Sequence, residues 1–266
     1  MILEKSLGPD DPSIGPVILN LGSLYAYQQM YAQAEFFLKR VLVLWEKAGG
    51  ENNPDVSWAL NNLGMLYATQ NKFAEAEPLL KRALSIREKI LPDNHGAIVE
   101  SLNNLGLVYI GMRKPADAEP LLKRALSIEE KVLGPNHPQV AYYLENIAVV
   151  YDLLGKHDTG EAFFLRALEI NEKALGPTHP AVALTLSRLG LHYQEMDGDY
   201  TKAESCYKRA LTVLEVALGP DHPQIAGILE SYAGLLRKIQ RDAEADKMLE
   251  RARTIRNKIS PKKPNT

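Results

Sequence analysis

The sequence is poor in whatever would cross-link a chain, anchor it or give it a strong field. Cys206 is the single cysteine among 266 residues. One thiol cannot close an internal disulfide, which excludes the stapled frameworks of small secreted domains. No apolar run approaches the roughly 18 residues of a membrane-spanning helix. The start, MILEKSLGPDDP, has no basic segment followed by a long apolar one, so it does not read as a secretion signal. Lys and Arg number 31 against 33 Asp and Glu, leaving a net charge of −2. No global field draws such a chain to nucleic acid or to an anionic membrane. Catalytic signatures are missing as well. There is no G-x-x-x-x-G-K-[ST], and Gly155-Lys156 lacks both the upstream glycine and the following hydroxyl residue. G-x-G-x-x-G, H-E-x-x-H and G-x-S-x-G are absent too. The expectation is a non-enzymatic, cytoplasmic protein without cofactor.

What the sequence has in abundance is itself. AEPLLKRALSI runs from Ala76 to Ile86 and again, unchanged, from Ala118 to Ile128, a displacement of 42 residues. The same step aligns SWALNNLGMLY, ending at Tyr67, with ESLNNLGLVY, ending at Tyr109. A small residue recurs in register as Gly22, Gly64, Gly106, Ala148, Gly190 and Ala233, and an arginine as Arg40, Arg82, Arg124, Arg166, Arg209 and Arg251. One step in each series is 43, from an extra residue near Met196-Asp197-Gly198-Asp199. The loops carry a third marker: LGPDDP, ENNP, LPDNHG, LGPNHP, LGPTHP and LGPDHP.

Each unit reads as two helices. Leu60, Leu63, Gly64 and Tyr67 fall on one face at i, i+3, i+4 and i+7, and Ala76, Leu79, Leu80, Ala83, Leu84 and Ile86 continue a second stripe. A polar turn such as Gln70-Asn71-Lys72 joins them. The Gly-Pro loop ends the second helix, because glycine suits a left-handed terminal conformation and proline cannot continue the helix. Pro138, Pro180 and Pro223 suit the first turn of the next one. Pro78 and Pro120 require the second helix to begin close before them, where N–H groups lack intrahelical partners. A two-helix unit cannot bury its apolar face alone, so the period predicts a stacked array. Six complete repeats are expected between about Pro12 and Ile259, as one all-α right-handed superhelical solenoid over 13–259. Residues 1–12 are expected to be the end of a truncated preceding repeat with its loop. Ile2–Lys5 (ILEK) aligns with Ile86–Lys89 (IREK), which suggests a fragment of a longer array. The polar final helix DKMLERARTIRNK suits a cap, and the tail 260–266 is expected to be disordered.

L-x-x-L-G-x-x-Y followed by A-x-x-x-L and A resembles the tetratricopeptide repeat. The period, the IREK-type extension and the LGPxHP loop look like its kinesin light chain type. That resemblance implies a right-handed superhelix that binds partners in its concave groove. Asparagines in kinesin light chain repeats contact short extended cargo peptides, which carries over to Asn62, Asn104 and Asn146. A basic residue of the IREK segment contributes too, and Arg87 matches it. The family's basic residues after the tyrosine are replaced here by Ala26, Ala68 and Ile110, and its lysine four residues before the asparagine by Trp58, Glu100 and Tyr142. The groove is therefore expected to favour less acidic, more apolar ligands.

The residues themselves leave alternatives. Asn20, Asn62, Asn104 and Asn146 can line the inner curve and clamp a peptide backbone, since an amide both donates and accepts. They can equally bond a neighbouring helix and hold the stack. Trp58 and Tyr142 are either binding anchors or packing against the preceding helix. Glu145, Asp152, Arg188, Glu195, Glu230, Arg237 and Lys238 form a mixed-charge stretch of the later groove, read as solvated surface rather than a second, more polar contact zone, with Arg188 kept among the candidate peptide-binding residues. His95, His137, His179 and His222 occupy equivalent loops. Two packed helices of about 8–10 Å each separate successive loops, too far for a shared metal, so loop packing or capping is expected. His157 and His192 look isolated. Cys206, in SCYKRAL, has no evident base and reads as packing. The expected partner is a peptide or protein segment, with no nucleic acid and no membrane insertion. The expected state is a monomer. A structural scaffold or a sensor and oligomerisation segment, associating end to end, is the alternative.

Overall fold

The computed structural model describes residues 6–50 and 52–259. The expectations for Ile2–Lys5 and for the tail 260–266 lie outside the described residues. Among the described residues are twelve α-helices and no strand. The helices pair as α1 (Gly15–Tyr27) with α2 (Tyr31–Gly49), α3 (Pro54–Thr69) with α4 (Phe73–Ile90), and α5 (Gly96–Gly111) with α6 (Pro115–Leu133). Then come α7 (Pro138–Leu153) with α8 (His157–Leu175), α9 (Pro180–His192) with α10 (Tyr200–Leu218), and α11 (Pro223–Lys238) with α12 (Asp242–Ile259). The chain is all-α and built of helix-turn-helix repeats, in two compact units, one reaching Val132 and the other starting at Leu133. None of the described helices is long and apolar enough to cross a membrane.

The loop histidines are helix caps. His95, His137, His179 and His222 precede α5, α7, α9 and α11, and each Nδ1 accepts the backbone N–H two residues on, at 3.1, 3.2, 3.1 and 3.4 Å. They do the work usually given to Asn or Asp. Asn53 does so itself before α3, accepting from the Asp55 N–H at 3.0 Å.

First helices end on one backbone device. Gln29, Asn71, Arg113, Gly155, Gly198 and Gln240, at equivalent turn positions, all have φ between 58° and 72°. Lys72 N–H then bonds Tyr67 O, and Lys114 N–H bonds Tyr109 O, each at 2.9 Å, closing the six-residue loop that satisfies terminal carbonyls. This early closure starts α4 at Phe73, so Pro78 sits in its sixth position, beyond the unpaired first turn. The expected start just before Pro78 is corrected: the helix runs through it and forgoes the bond to Ala74 O, as α6 does at Pro120. Second helices end at Gly176 (φ 91°, ψ 153°) and Gly219 (φ 86°, ψ 160°). The positive φ was expected, but ψ is extended, a combination essentially reserved to glycine.

Each sequence marker has a physical task. A Cβ on Gly64 would lie 2.7 Å from Leu80 Cγ, and one on Gly106 2.7 Å from Leu122 Cγ. The two helices of a pair touch where a side chain is missing. The recurrent arginine ties the second helix to the loop that opens its repeat: Arg40, Arg166 and Arg251 donate to the carbonyls of Pro9, Pro135 and Pro220 at 3.1, 3.2 and 2.9 Å. It also meets the preceding second helix, as in Arg82–Glu46 at 2.7 Å and Arg251–Glu215 at 2.6 Å. The recurrent tyrosines are core residues with a polar tip. Tyr67, Tyr109 and Tyr193 donate their hydroxyls to Glu35, Glu77 and Glu161 of the repeat before, at 2.9, 3.0 and 2.6 Å.

Gly64→Ala is expected to lower stability by about 1–3 kcal/mol through overpacking against Leu80, read as a lower urea midpoint. Arg113→Gly, which relieves a left-handed residue, is expected to raise it by up to about 1 kcal/mol. Equal midpoints for the two variants would contradict this account.

Candidate functional site

In the first unit, Trp58 and Asn62 lie on the first helix α3 and Asn104 on the first helix α5, while Arg87 lies on the second helix α4. Trp58 lies on α3 with 41% of its surface exposed. Its ring covers the Arg87 guanidinium at 4.4 Å. Arg87 has no accessible surface, which corrects the expectation that a ligand meets it directly. Its Nη1 donates to Ala97 O at 2.8 Å, Ser101 Oγ at 2.8 Å and Glu100 Oε2 at 3.1 Å. Burial lowers the Arg87 pKa from its usual value, and the adjacent Glu100 carboxylate works against that. Arg87 therefore fastens α4 to α5 and backs the Trp58 ring.

The asparagines bond neighbouring helices. Asn62 Nδ2 donates to Ser23 Oγ on α1 at 3.1 Å, and Asn104 Nδ2 to Asn61 Oδ1 on α3 at 3.1 Å. Asn61 in turn donates to Glu100 Oε1 at 3.1 Å, so a polar chain runs from Asn104 to Arg87. Asn62 is half-buried, whereas Asn104 keeps 8% exposure. Beside Asn62 opens a cavity of about 310 Å³ whose wall includes Ala26, Tyr27, Leu38, Met65 and Thr69.

The second unit repeats the plan with charged groups. Asn146 is 3% exposed, and its Oδ1 accepts from Arg188 Nη1 at 3.3 Å. Like Asn104, Asn146 presents little surface for the direct ligand contact that the resemblance implies. Arg188 also faces Glu145 Oε2 at 3.4 Å. Glu145 accepts from Thr185 Oγ1, which accepts from Asn171 Nδ2 at 3.0 Å. Burial raises the Glu145 pKa above the ordinary carboxylate value, against the pull of Arg188 and Thr185. Tyr142 is 42% exposed and leans edge-on against Tyr143, with ring centroids 5.4 Å apart.

His192 is not isolated. It is buried, with Nδ1 at 2.9 and 3.0 Å from the two Asp152 oxygens. A carboxylate only accepts, so Nδ1 donates. His157 Nδ1 approaches the same carboxylate at 3.7 Å. The available signal was the separation: Ser23–Asn62 and Asn61–Glu100 are 39 residues apart, Glu145–Thr185 and Asp152–His192 are 40. Residues so spaced face each other on adjacent first helices. Cys206 packs against the apolar core of its unit, and burial pushes its thiol pKa up to about 11, away from thiolate chemistry.

A tetratricopeptide-repeat family model matches residues 2–89, 98–159, 145–197 and 185–258. No curated protein matches. Among solved structures, the kinesin light chain TPR-like repeats of Podosopora anserina share 21% identity, over 78% of this chain and 98% of that one, with a TM-score of 0.67. BtubC (BKLC) from P. vanneervenii shares 19% over 90% and 92%, with a TM-score of 0.63. The apo form of RapI shares 14% over 94% and 85%, with a TM-score of 0.70.

Glu145 supplies a pH test. A carboxyl whose pKa is raised on folding contributes stability in acid that is lost as pH rises through the folded value. Glu145→Gln keeps an acceptor for Thr185 and removes the buried charge. Its stability is expected to match the parent near pH 4 and to exceed it at pH 8 by on the order of 1 kcal/mol. Paired urea titrations at the two pH values decide this. A gain as large at pH 4 would show that charge burial is not the cause.

Proposed function

The chain belongs to the tetratricopeptide-repeat family, and from that premise we propose that it is a non-catalytic interaction module whose first-helix faces bind an extended peptide or protein segment. The observation that carries this reading is the cavity edged by Asn62, open beside exposed Tyr27 in the first unit. The cavity lies at the small end of the range of ligand pockets, about 300–1,000 Å³, and has room for a side chain of a bound segment. In this reading Trp58 and Tyr142 are the aromatic anchors, each with about two-fifths of its surface exposed. Asn62 and Arg188 offer polar contacts at the rim. Asn104, Asn146 and Arg87 act from beneath: they are hydrogen-bonded across helices and fix the surface that the ligand meets. Arg87 stiffens Trp58, which lowers the entropy cost of using it as an anchor.

A second reading, a scaffold that associates through its first repeat, is favoured by Phe36 and Val43, both exposed on α2 one heptad apart. Sedimentation velocity separates the two readings: a concentration-dependent dimer abolished by Phe36→Lys would support the scaffold.

For peptides selected from a random display library, Kd is expected near micromolar, about −8 kcal/mol. Trp58→Ala with Asn62→Ala is expected to weaken binding at least about tenfold, or 1.4 kcal/mol, with the helical signal unchanged. Undiminished affinity in that double variant would reject the groove.

A further inference from the structure

The first-helix cavity of unit one has a counterpart three repeats later. The cavity in unit two, about 320 Å³, is built from the same positions displaced along the sequence. Phe164 replaces Leu38 and Leu191 replaces Met65, so the apolar wall persists. The polar positions do not persist. Asp152 stands where unit one has Ala26, and His192 where it has Leu66. At the rim, Arg188 replaces Asn62 and Glu195 replaces Thr69. The repeats act as an internal control: this architecture is satisfied by an uncharged cavity, so the charges in the second one are not required by the fold.

The backbone is altered at the same place. The extra residue that makes one repeat step 43 is accommodated as a π-helical turn, Tyr193–Asp197, which continues α9 and carries Glu195 and Met196 of the cavity wall. Such turns are rare and cluster at functional sites.

The charges pair unevenly. Arg188 faces Glu145 at 3.4 Å, and Glu195 meets Lys238 Nζ at 2.7 Å. Asp152, nearly buried on the cavity wall, is held by imidazoles rather than by a fixed cation: His192 at 2.9 Å and His157 at 3.7 Å. Gly160 leaves it room, since a Cβ there would stand 2.5 Å from Asp152 Oδ1. A nearly buried carboxylate in a cavity whose wall includes the apolar side chains of Val149, Leu153 and Leu191 suits a cation on an extended aliphatic stem. The apolar wall takes the methylenes, and the carboxylate takes the charge as a charge-assisted hydrogen bond.

We propose that the cavity of Asp152, His192 and the Tyr193–Asp197 turn is a socket for a basic side chain, lysine above all, of the bound segment, while its unit-one counterpart takes an apolar one. His192 is a positioning residue that holds Asp152 in the cavity wall. The proposal rests on the peptide-binding reading and adds a specificity to it.

The test uses Nα-acetyl-lysine methylamide and its norleucine analogue, which has an aliphatic side chain and no charge. Each is titrated into the full chain while the methyl NMR signals of Val149, Leu153 and Leu191 are followed. The lysine probe is expected to shift these signals saturably and at least fivefold more tightly than norleucine. In Asp152→Asn the two probes are expected to bind alike, with the remaining spectrum unchanged. Norleucine binding as tightly as lysine in the parent, or no saturable shift with lysine, overturns the socket, and neither outcome depends on how the variant folds. Display selection reads the wider proposal separately. Peptides still enriched through Trp58 and Asn62 would keep the groove without the socket. A lysine-selective cavity with no enriched peptide would keep the socket and reject the groove.

Discussion

Everything in this protein depends on two helices touching where a side chain is absent. Gly64 and Gly106 let α3 and α5 meet the leucine stems of α4 and α6 at distances a methyl group would not permit. The contact fixes the depth of each pair. It thereby fixes how far apart successive first helices stand, and so which residues face each other at separations of 39 and 40. Where the small residue becomes Ala148, Phe164 is its partner position and both are buried in one core. Near Gly190 the neighbour is Tyr207, whose ring edge lies 3.0 Å from the built Cβ. The pair contact tolerates different fillings as long as the combined bulk is right.

A second layer of order is electrostatic, despite the near-zero net charge. Arginine to proline carbonyl, arginine to glutamate and tyrosine to glutamate recur along both units. Most of these ion pairs are exposed and individually worth little. Their value lies in geometry: a planar guanidinium that meets a loop carbonyl sets the angle between a second helix and the loop that opens its repeat. The buried polar chains on the first helices are a different matter. Buried Arg87, Asn61 and Asn104 are linked through Glu100, whose side chain stays partly exposed, and Glu145, Thr185 and Asn171 form a set that is buried throughout. Such networks tolerate little change, because a member left without its partner bears the full cost of desolvation.

Function in a repeat protein comes from departures from the repeat. Trp58, Glu100 and Tyr142 occupy one repeat position with three chemistries. Ala26 and Asp152 occupy another, and only the second brings a charge into a cavity. The shared scaffold makes each departure interpretable, since the same backbone accommodates the plain residue elsewhere in the chain.

The sequence by itself determined the helix pairs, their number, their turns and the identity of the marker residues, because periodicity and turn chemistry act over a few residues. It located the loop histidines, which the structure shows to be caps, the Gly-Pro stops and the inserted residue. Which polar groups face outward was decided only in the tertiary structure. Arg87 and Asn104 look like surface residues in a list of spacings, yet neighbouring helices enclose them. His192 looks solitary until α7 brings Asp152 beside it, and Pro78 looks like a helix start until the turn at Asn71 sets that start at Phe73. The physical reason is common to all these cases. Local conformation is set by contacts within one or two turns, whereas burial and pairing are set by the next helix, some forty residues away.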